Sequence, residues 1–215
     1  MFILTAQLNS VKHGRVNRSV GQHHGDLRHG LIAAALELVA ESDADGVTLR
    51  AVARRAGVSA AAPYHHFPDK DALLAAVARD GFDTLAQAQL EVLGGSGSAP
   101  DRLERLVTEY VQFALRHRTH YGVMFRMLPT EVGGAEGDEL RAAAMSAFGR
   151  LVDAVAAAAP ELSADEANRR ALLAWAFAHG AVDVGRWGAA LRPGLDPEAL
   201  AAEVGREVRR LVVGH

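Results

Sequence analysis

The segment Gly46 to Leu74, GVTLRAVARRAGVSAAAPYHHFPDKDALL, gathers the side chains with the clearest chemical potential in the chain. It brings hydroxyls (Thr48, Ser59, Tyr64), cations (Arg50, Arg54, Arg55, Lys70) and two adjacent imidazoles (His65, His66) into a stretch rich in alanine. Hydroxyls, cations and helix N-terminal amides are the donors that hold phosphates, and an arginine fork can read a guanine edge with two hydrogen bonds. The chemistry of an enzyme is missing. There is no HExxH spacing, no glycine-rich phosphate loop after a strand, and no grouping of nucleophile, base and orienting residue, so no catalytic residues are expected. The absence of cysteine excludes disulfides and thiolate metal sites. The side chains of His65 and His66 point apart on a helix, so neither a metal nor a cofactor is expected.

These residues need elements to hold them, and the chain reads as all-α. Alanine is abundant, aromatics are few, and apolar residues recur at three- and four-residue spacing. Residues 1–25 lack a sustained period and read as a flexible tail. A first helix is expected from Leu27 to Ala40. Thr48 is placed to cap a short helix, Leu49 to Ala56. Gly57 supplies the turn, Ser59 is placed to cap a third short helix reaching His66, and Asp69 caps a long helix from Lys70 to Leu93. Pro63 fits only the first turn of its helix, so that helix begins late or irregularly. Helix, glycine turn and short second helix at this spacing suggest a helix-turn-helix over 26–70, a unit that lays its second helix in a DNA major groove; many compact helical domains contain similar corners, so the spacing alone leaves both readings open.

The run GGSGSAP, 94–100, reads as a linker between the connecting helix, 71–93, and a C-terminal domain, 101–215. Further helices are expected from Asp101, around Tyr121 to Leu128, from Asp138 to Ala159, from Ala164 to Ala190 and from Pro197 to Val213, with Glu131 to Gly137 as a glycine-rich loop. Net charge is −3, but residues 1–70 sum to +2 and residues 71–215 to −5, which suits an N-terminal part that meets phosphate. No uninterrupted apolar run approaches the ~18 residues of a membrane span, so no membrane partner is expected and the chain reads as cytoplasmic.

The Gly46 to Leu74 segment resembles the DNA-binding end of the TetR family of bacterial repressors. The matching residues are Thr48, Leu49, Val52, Ala53, Ala56, Gly57, Val58, Ser59, Tyr64, His66, Phe67, Lys70, Leu73 and Leu74. The C-terminal half is similar in layout to that family's ligand-binding and dimerisation domain, and Trp175 to Gly180, WAFAHG, resembles a tryptophan and histidine-glycine pattern of one subgroup. The resemblance implies DNA contacts by Thr48, Arg50, Ser59, Ala60, Ala61, Ala62, Tyr64, His65, His66 and Lys70. Thr48, Tyr64, His66 and Lys70 would hold phosphates, and Arg50 would reach a guanine edge. The chain departs from the family pattern at Ala60, Ala61, Ala62 and Pro63, where a small-Gly-Thr-Leu stretch is more frequent. Alanine methyls pack on thymine methyls, so this reading element is expected to work by thymine contact and DNA shape, helped by Arg50 and His65.

In the C-terminal half, Tyr121, Met124, Phe125, Met145, Phe148, Trp175, His179 and Asp183 are the candidate ligand-binding residues, since such pockets are apolar with a few polar groups. His179 and Asp183 stand four apart and have a structural alternative, a pair on one helix face. Ala176, Gly180, Val184 and Gly188, with Leu200, Val204, Val208 and Leu211, form stripes expected to build a dimer interface. The alternative is that they pack internally. The expected function is a homodimeric repressor, released from a pseudo-palindromic operator in double-stranded DNA by a small-molecule effector. A ligand-independent architectural or co-regulatory DNA-binding protein is the other reading.

Overall fold

The computed structural model describes residues 20–128, 132–186, 194 and 196–214, with side chains from Leu27 onward and Arg186 excepted. Among them are eight α-helices and two 3₁₀ turns, and no strand. The helices are α1 Val20–Ser42, α2 Leu49–Arg55, α3 Lys70–Leu93, α4 Ala99–Arg116, α5 Arg118–Met127, α6 Gly134–Ala158, α7 Ala164–Arg186 and α8 Pro197–Val213. The 3₁₀ turns are Ala44–Gly46 and Ala62–His65.

Most boundaries follow local chemistry. Thr48 caps α2 by accepting from the Ala51 N–H at 3.1 Å, and Asp69 caps α3 by accepting from Ala72 N–H at 2.8 Å. The end of α2 is a Schellman closure. Val58 N–H reaches the Ala53 carbonyl and Gly57 N–H the Arg54 carbonyl, with Gly57 at φ +69°, a conformation that costs glycine little. The helices expected from Lys70 to Leu93 and from Pro197 to Val213 have those bounds.

Five expectations need correction. Residues 20–25 are helical, because α1 starts at Val20 instead of Leu27; residues 1–19 of the expected tail lie outside the described residues. The third helix is a four-residue 3₁₀ turn, and Ser59 does not cap it with its side chain. Pro63 is the cause. An α-turn from Ser59 would need an N–H on residue 63, which proline lacks, so the Ser59 carbonyl accepts from Ala62 N–H at 3.0 Å instead. The 94–100 linker is shorter than expected, since α4 begins at Ala99. Ser98 and Asp101 close a capping box around its first turn, where Pro100 needs no N–H partner. α5 begins at Arg118, ahead of Tyr121, and α6 begins at Gly134 inside the expected glycine-rich loop. Beyond Arg186, the rest of the helix expected to reach Ala190 lies outside the described residues.

One apolar core runs through the molecule. At its N-terminal end Leu31, Ala35, Val47, Val52, Phe67 and Leu73 are fully shielded and hold α1, α2, the 3₁₀ turn and the start of α3 as a head. Truncating Phe67 to alanine there would cost about 3–5 kcal/mol. Arg55 fastens α2 to α1 through Glu37 at 3.1 Å and Glu41 at 2.6 Å. The lower half of α3 enters a bundle with α4 to α8.

α8 lies along α4, burying Ala201, Val204, Gly205, Val208 and Val212. A methyl on Gly205 would stand 2.2 Å from Thr108 Oγ1 and 2.6 Å from the Glu104 carbonyl oxygen, so only glycine permits this approach. Arg209 closes the same seam onto Asp101 at 2.6 Å and Glu104 at 3.2 Å. No described helix is long and apolar enough to cross a membrane.

Candidate nucleic-acid interface and effector cavity

The head leaves most of the candidate DNA-contact residues open to solvent. Thr48, Arg50, Ser59, Ala60, Ala61 and His65 are exposed, and Tyr64 is 53% exposed, a large value for an aromatic residue beside a core. Ala62, His66 and Lys70 are half-buried, His66 with its ring 6.4 Å from that of Phe67. Pro63 is buried and anchors the 3₁₀ turn, so the turn projects Tyr64 and His65 outward while Ala60 and Ala61 lead into it. Arg50 and Arg54 form no ion pair with a described residue. Arg55 is different, being committed to Glu37 and Glu41. Of the three arginines on α2, Arg50 and Arg54 are therefore available to an outside anion. Among the described residues no three His, Asp or Glu side chains cluster as a metal site requires.

A cavity of about 300 Å³ opens among α3, α4, α5, α6 and α7. Four of the eight candidate ligand residues line it: Phe125, Met145, Phe148 and Trp175. Met145 and Leu172, exposed on facing helices, mark its mouth. Met124 does not reach it. Its sulfur packs against α3 at Gly81, where a methyl would come within 2.7 Å, and it is wholly core.

Tyr121 and His179 stand behind the wall in a polar knot. His179 Nδ1 lies 2.7 Å from the Tyr121 hydroxyl and 3.0 Å from that of Tyr110, and Trp175 Nε1–H donates to Tyr110 at 3.3 Å. Burial lowers the His179 pKa below its usual 6.5, opposed by Asp183, and burial pushes the Tyr110 phenol up to about 12. Both groups are therefore neutral at pH 7. Asp183 sits 3.9 Å from His179 Nε2 and is exposed, which is the helix-face pair of the structural alternative and not a cavity contact.

Sequence reasoning missed Tyr110, Phe82, Leu85, Leu106 and Gln89 as lining residues. The first four look like ordinary core positions on their helices. Gln89 carried a signal, a polar residue on the buried side of α3, flanked at one turn by Leu85.

The stripes expected to dimerise divide. Val204 and Val208 are buried against α4 within the single chain, so they are internal packing and not free interface. Leu200 and Gly180 are half-buried, Ala176 is exposed, and Val184 and Leu211 stand out with 58% and 65% of their surface accessible. Gly188 lies outside the described residues. The exposed apolar row on α7 also takes in Leu173 and Phe177, which fall with Gly180 and Val184 at three- and four-residue spacing on one side of the helix.

Known proteins share both halves. Residues 31–77 match the model of bacterial regulatory proteins of the tetR family, and residues 103–208 match that of the tetracyclin repressor-like C-terminal domain. Over 82 residues the chain is 42% identical to the HTH-type transcriptional regulator BetI of Escherichia coli. That match spans 37% of this chain and only 42% of the relative's length. A Rhodococcus sp. RHA1 protein of unknown function superposes with a TM-score of 0.75 at 32% identity, covering 91% of this chain and all of that one. The TetR family regulator PfmR from Thermus thermophilus shares the fold at a TM-score of 0.64 and 16% identity, over 84% of this chain and 97% of that one. With one family model matching residues 31–77 and the other residues 103–208, in the family's order, the chain belongs to the TetR family of bacterial regulatory proteins.

Proposed function

We propose that the protein is a homodimeric, sequence-specific repressor that leaves a pseudo-palindromic operator when a small molecule fills the cavity. The observation that carries this is the path of α3. Its first turn holds Lys70, one of the candidate DNA contacts, and its later turns hold Phe82 and Leu85 in the cavity wall. A ligand that prefers one placement of α3 changes how the head sits, and DNA affinity changes by that difference in binding energy and no more. Thr48, Tyr64, His66 and Lys70 serve as phosphate contacts, and Arg50, His65 and the methyls of Ala60 to Ala62 face the bases.

In this reading residues 26–70 are the DNA-binding unit, 71–93 the connection and 101–215 the effector and dimerisation unit. Dimerisation uses the exposed row of α7 with Leu211, two helices from each copy forming a four-helix contact. Such a repressor works in the cytoplasm, where the bacterial chromosome lies.

The test is genome-wide selection of DNA bound by the purified protein at physiological salt. The reading requires an enriched inverted repeat whose half-site centres lie about 34–36 Å, one helical turn, or a multiple of it apart. Binding that is only salt-sensitive and without an enriched site would instead support an architectural role.

A further inference from the structure

Apart from the Tyr110 and Tyr121 phenols, Gln89 is the one buried polar side chain among the described residues, 5% exposed, and it lines the cavity. Its hydrogen bonds are long. The side-chain N–H donates to the Ala147 carbonyl at 3.5 Å, and its Oε1 accepts from Arg150 Nη1 at 3.4 Å, where about 2.9–3.0 Å is usual. Those two partners fix the amide's orientation: the oxygen faces Arg150 and the nitrogen faces Ala147, which lines the cavity as Gln89 does. A primary amide has two N–H donors, and one is taken here, weakly. The rest of the lining is almost wholly apolar, and no Asp, Glu, Lys, Arg or His belongs to it. A charged ligand would lose its hydration there without a partner charge in the wall. The hydroxyl of Tyr110, a second polar group among the lining residues, is engaged with His179, Tyr121 and Trp175.

We infer that the cavity takes an uncharged, mostly apolar molecule with one hydrogen-bond acceptor, a carbonyl or ether oxygen, which the free N–H of Gln89 receives. Arg150, donating to the amide oxygen, polarises that N–H and favours an acceptor over a donor. The aromatic faces of Phe125, Phe148 and Trp175 suit a ring or a flat chain beside it. This deepens the effector reading above and rests on it only for the step from binding to release.

The test uses the full chain and four probes in calorimetric titration: hexanophenone, hexylbenzene as its hydrocarbon match, 4-pentylbenzoate as an anion and phenylhexylammonium as a cation. Hexanophenone is expected to bind at least about tenfold more tightly than either charged probe. Gln89→Met is expected to weaken hexanophenone about tenfold and to leave hexylbenzene unchanged. In the unaltered protein the Gln89 side-chain amide resonance should shift with hexanophenone and not with hexylbenzene, which keeps the test open if the variant misfolds. Tighter binding of a charged probe, no binding of the neutral probes, or equal losses for ketone and hydrocarbon in Gln89→Met would overturn the inference. Operator release measured with the same probes separates the two readings. Hexanophenone that binds through Gln89 but leaves operator affinity unchanged refutes release and leaves this inference standing. A charged probe that binds best and releases DNA does the reverse.

Discussion

Arg28 of α1 donates from one guanidinium nitrogen to both carboxylate oxygens of Glu136 on α6, at 2.6 and 2.8 Å, while its Cζ stands 5.2 Å from the centre of the Phe67 ring. The pair is half-buried and joins the head to the first turn of a helix that also walls the cavity. Arg126 of α5, next to the cavity residue Phe125, makes a second bridge to Asp45 in the turn before α2. Arg79 of α3 makes a third link, to Glu139 on α6 at 2.8 Å.

Glu136→Gln is expected to cost about 1–2 kcal/mol of stability, as the loss of one charge-assisted, half-buried contact. Its larger effect should be on communication. Basal operator affinity stays near that of the unaltered protein, while the effector-induced fall in affinity shrinks several-fold. Anisotropy titrations with and without effector measure both, and an unchanged effector response would remove Arg28–Glu136 from the coupling.

Thr48 offers a sharper test of the DNA face. Thr48→Ala removes the cap of α2 and costs about 1 kcal/mol in stability. Thr48→Asp keeps a good cap but puts a negative charge where a phosphate would lie. Thermal melting should then rank Asp with Thr, and operator binding should rank Asp below Ala. If Asp binds as well as Thr, no phosphate meets this helix end.

Lys70 should act on the backbone alone. Lys70→Ala is expected to weaken all DNA sequences alike and to lower the salt slope of log affinity by about 1. Arg50→Ala should instead cost about 1–3 kcal/mol on the operator and relax the preference at one base position. Selection with each variant across a salt series separates the two behaviours.

The helix-turn-helix was legible because its signals are local. Thr48, Gly57 and Asp69 act on their nearest backbone neighbours, so their types alone place α2, the turn and α3. The 3₁₀ turn was half legible. Pro63 announced an irregular start, but the way Ser59 and Ala62 pair around it depends on where the buried proline ring lodges. The cavity was legible in its aromatic residues and not in its extent. Periodicity shows that Leu106 and Met124 face inward, but not that Leu106 borders empty space while Met124 fills it against Gly81. The stripe of α8 divided for the same reason: an apolar row on one helix does not say which of its residues α4 covers and which stay open.

Acid should loosen the knot behind the cavity. The His179 pKa in the folded chain lies below 6.5 because the ring is shielded, while the unfolded chain keeps the ordinary value. Unfolded protein therefore binds the proton more readily. Stability is fully present above pH 6.5 and is lost as the pH falls through that value toward the folded pKa. His117, lowered by burial as well, adds a slope of the same sign. Melting temperature should fall from pH 7.5 to 5.5, and His179→Gln, which can still accept from the tyrosine hydroxyls, should flatten part of that fall. An identical slope in the variant would assign the effect to other groups.

The α7 row predicts a change of assembly. Leu173→Glu with Phe177→Glu places charges on surface that is already exposed in one chain, so the fold should tolerate them. Light scattering is expected to show monomers, and operator affinity should fall by at least about a hundredfold, since each head then binds one half-site alone. A dimer that persists would move the interface elsewhere.

Gly205 leaves no gap between α8 and α4, and Arg209 bolts the same seam. Those two helices therefore shift together or not at all. If α7 and α8 are immobilised against a second copy, α4 becomes part of a stationary frame shared by both copies, and Leu106 and Tyr110 form the unyielding side of the cavity. The compliance must then lie opposite, in α3, α5 and α6, the three helices that carry Arg79, Arg126 and Glu136. A molecule wedged against a fixed α4 then presses on the helices whose ion pairs, Arg126–Asp45 and Arg28–Glu136, reach the head.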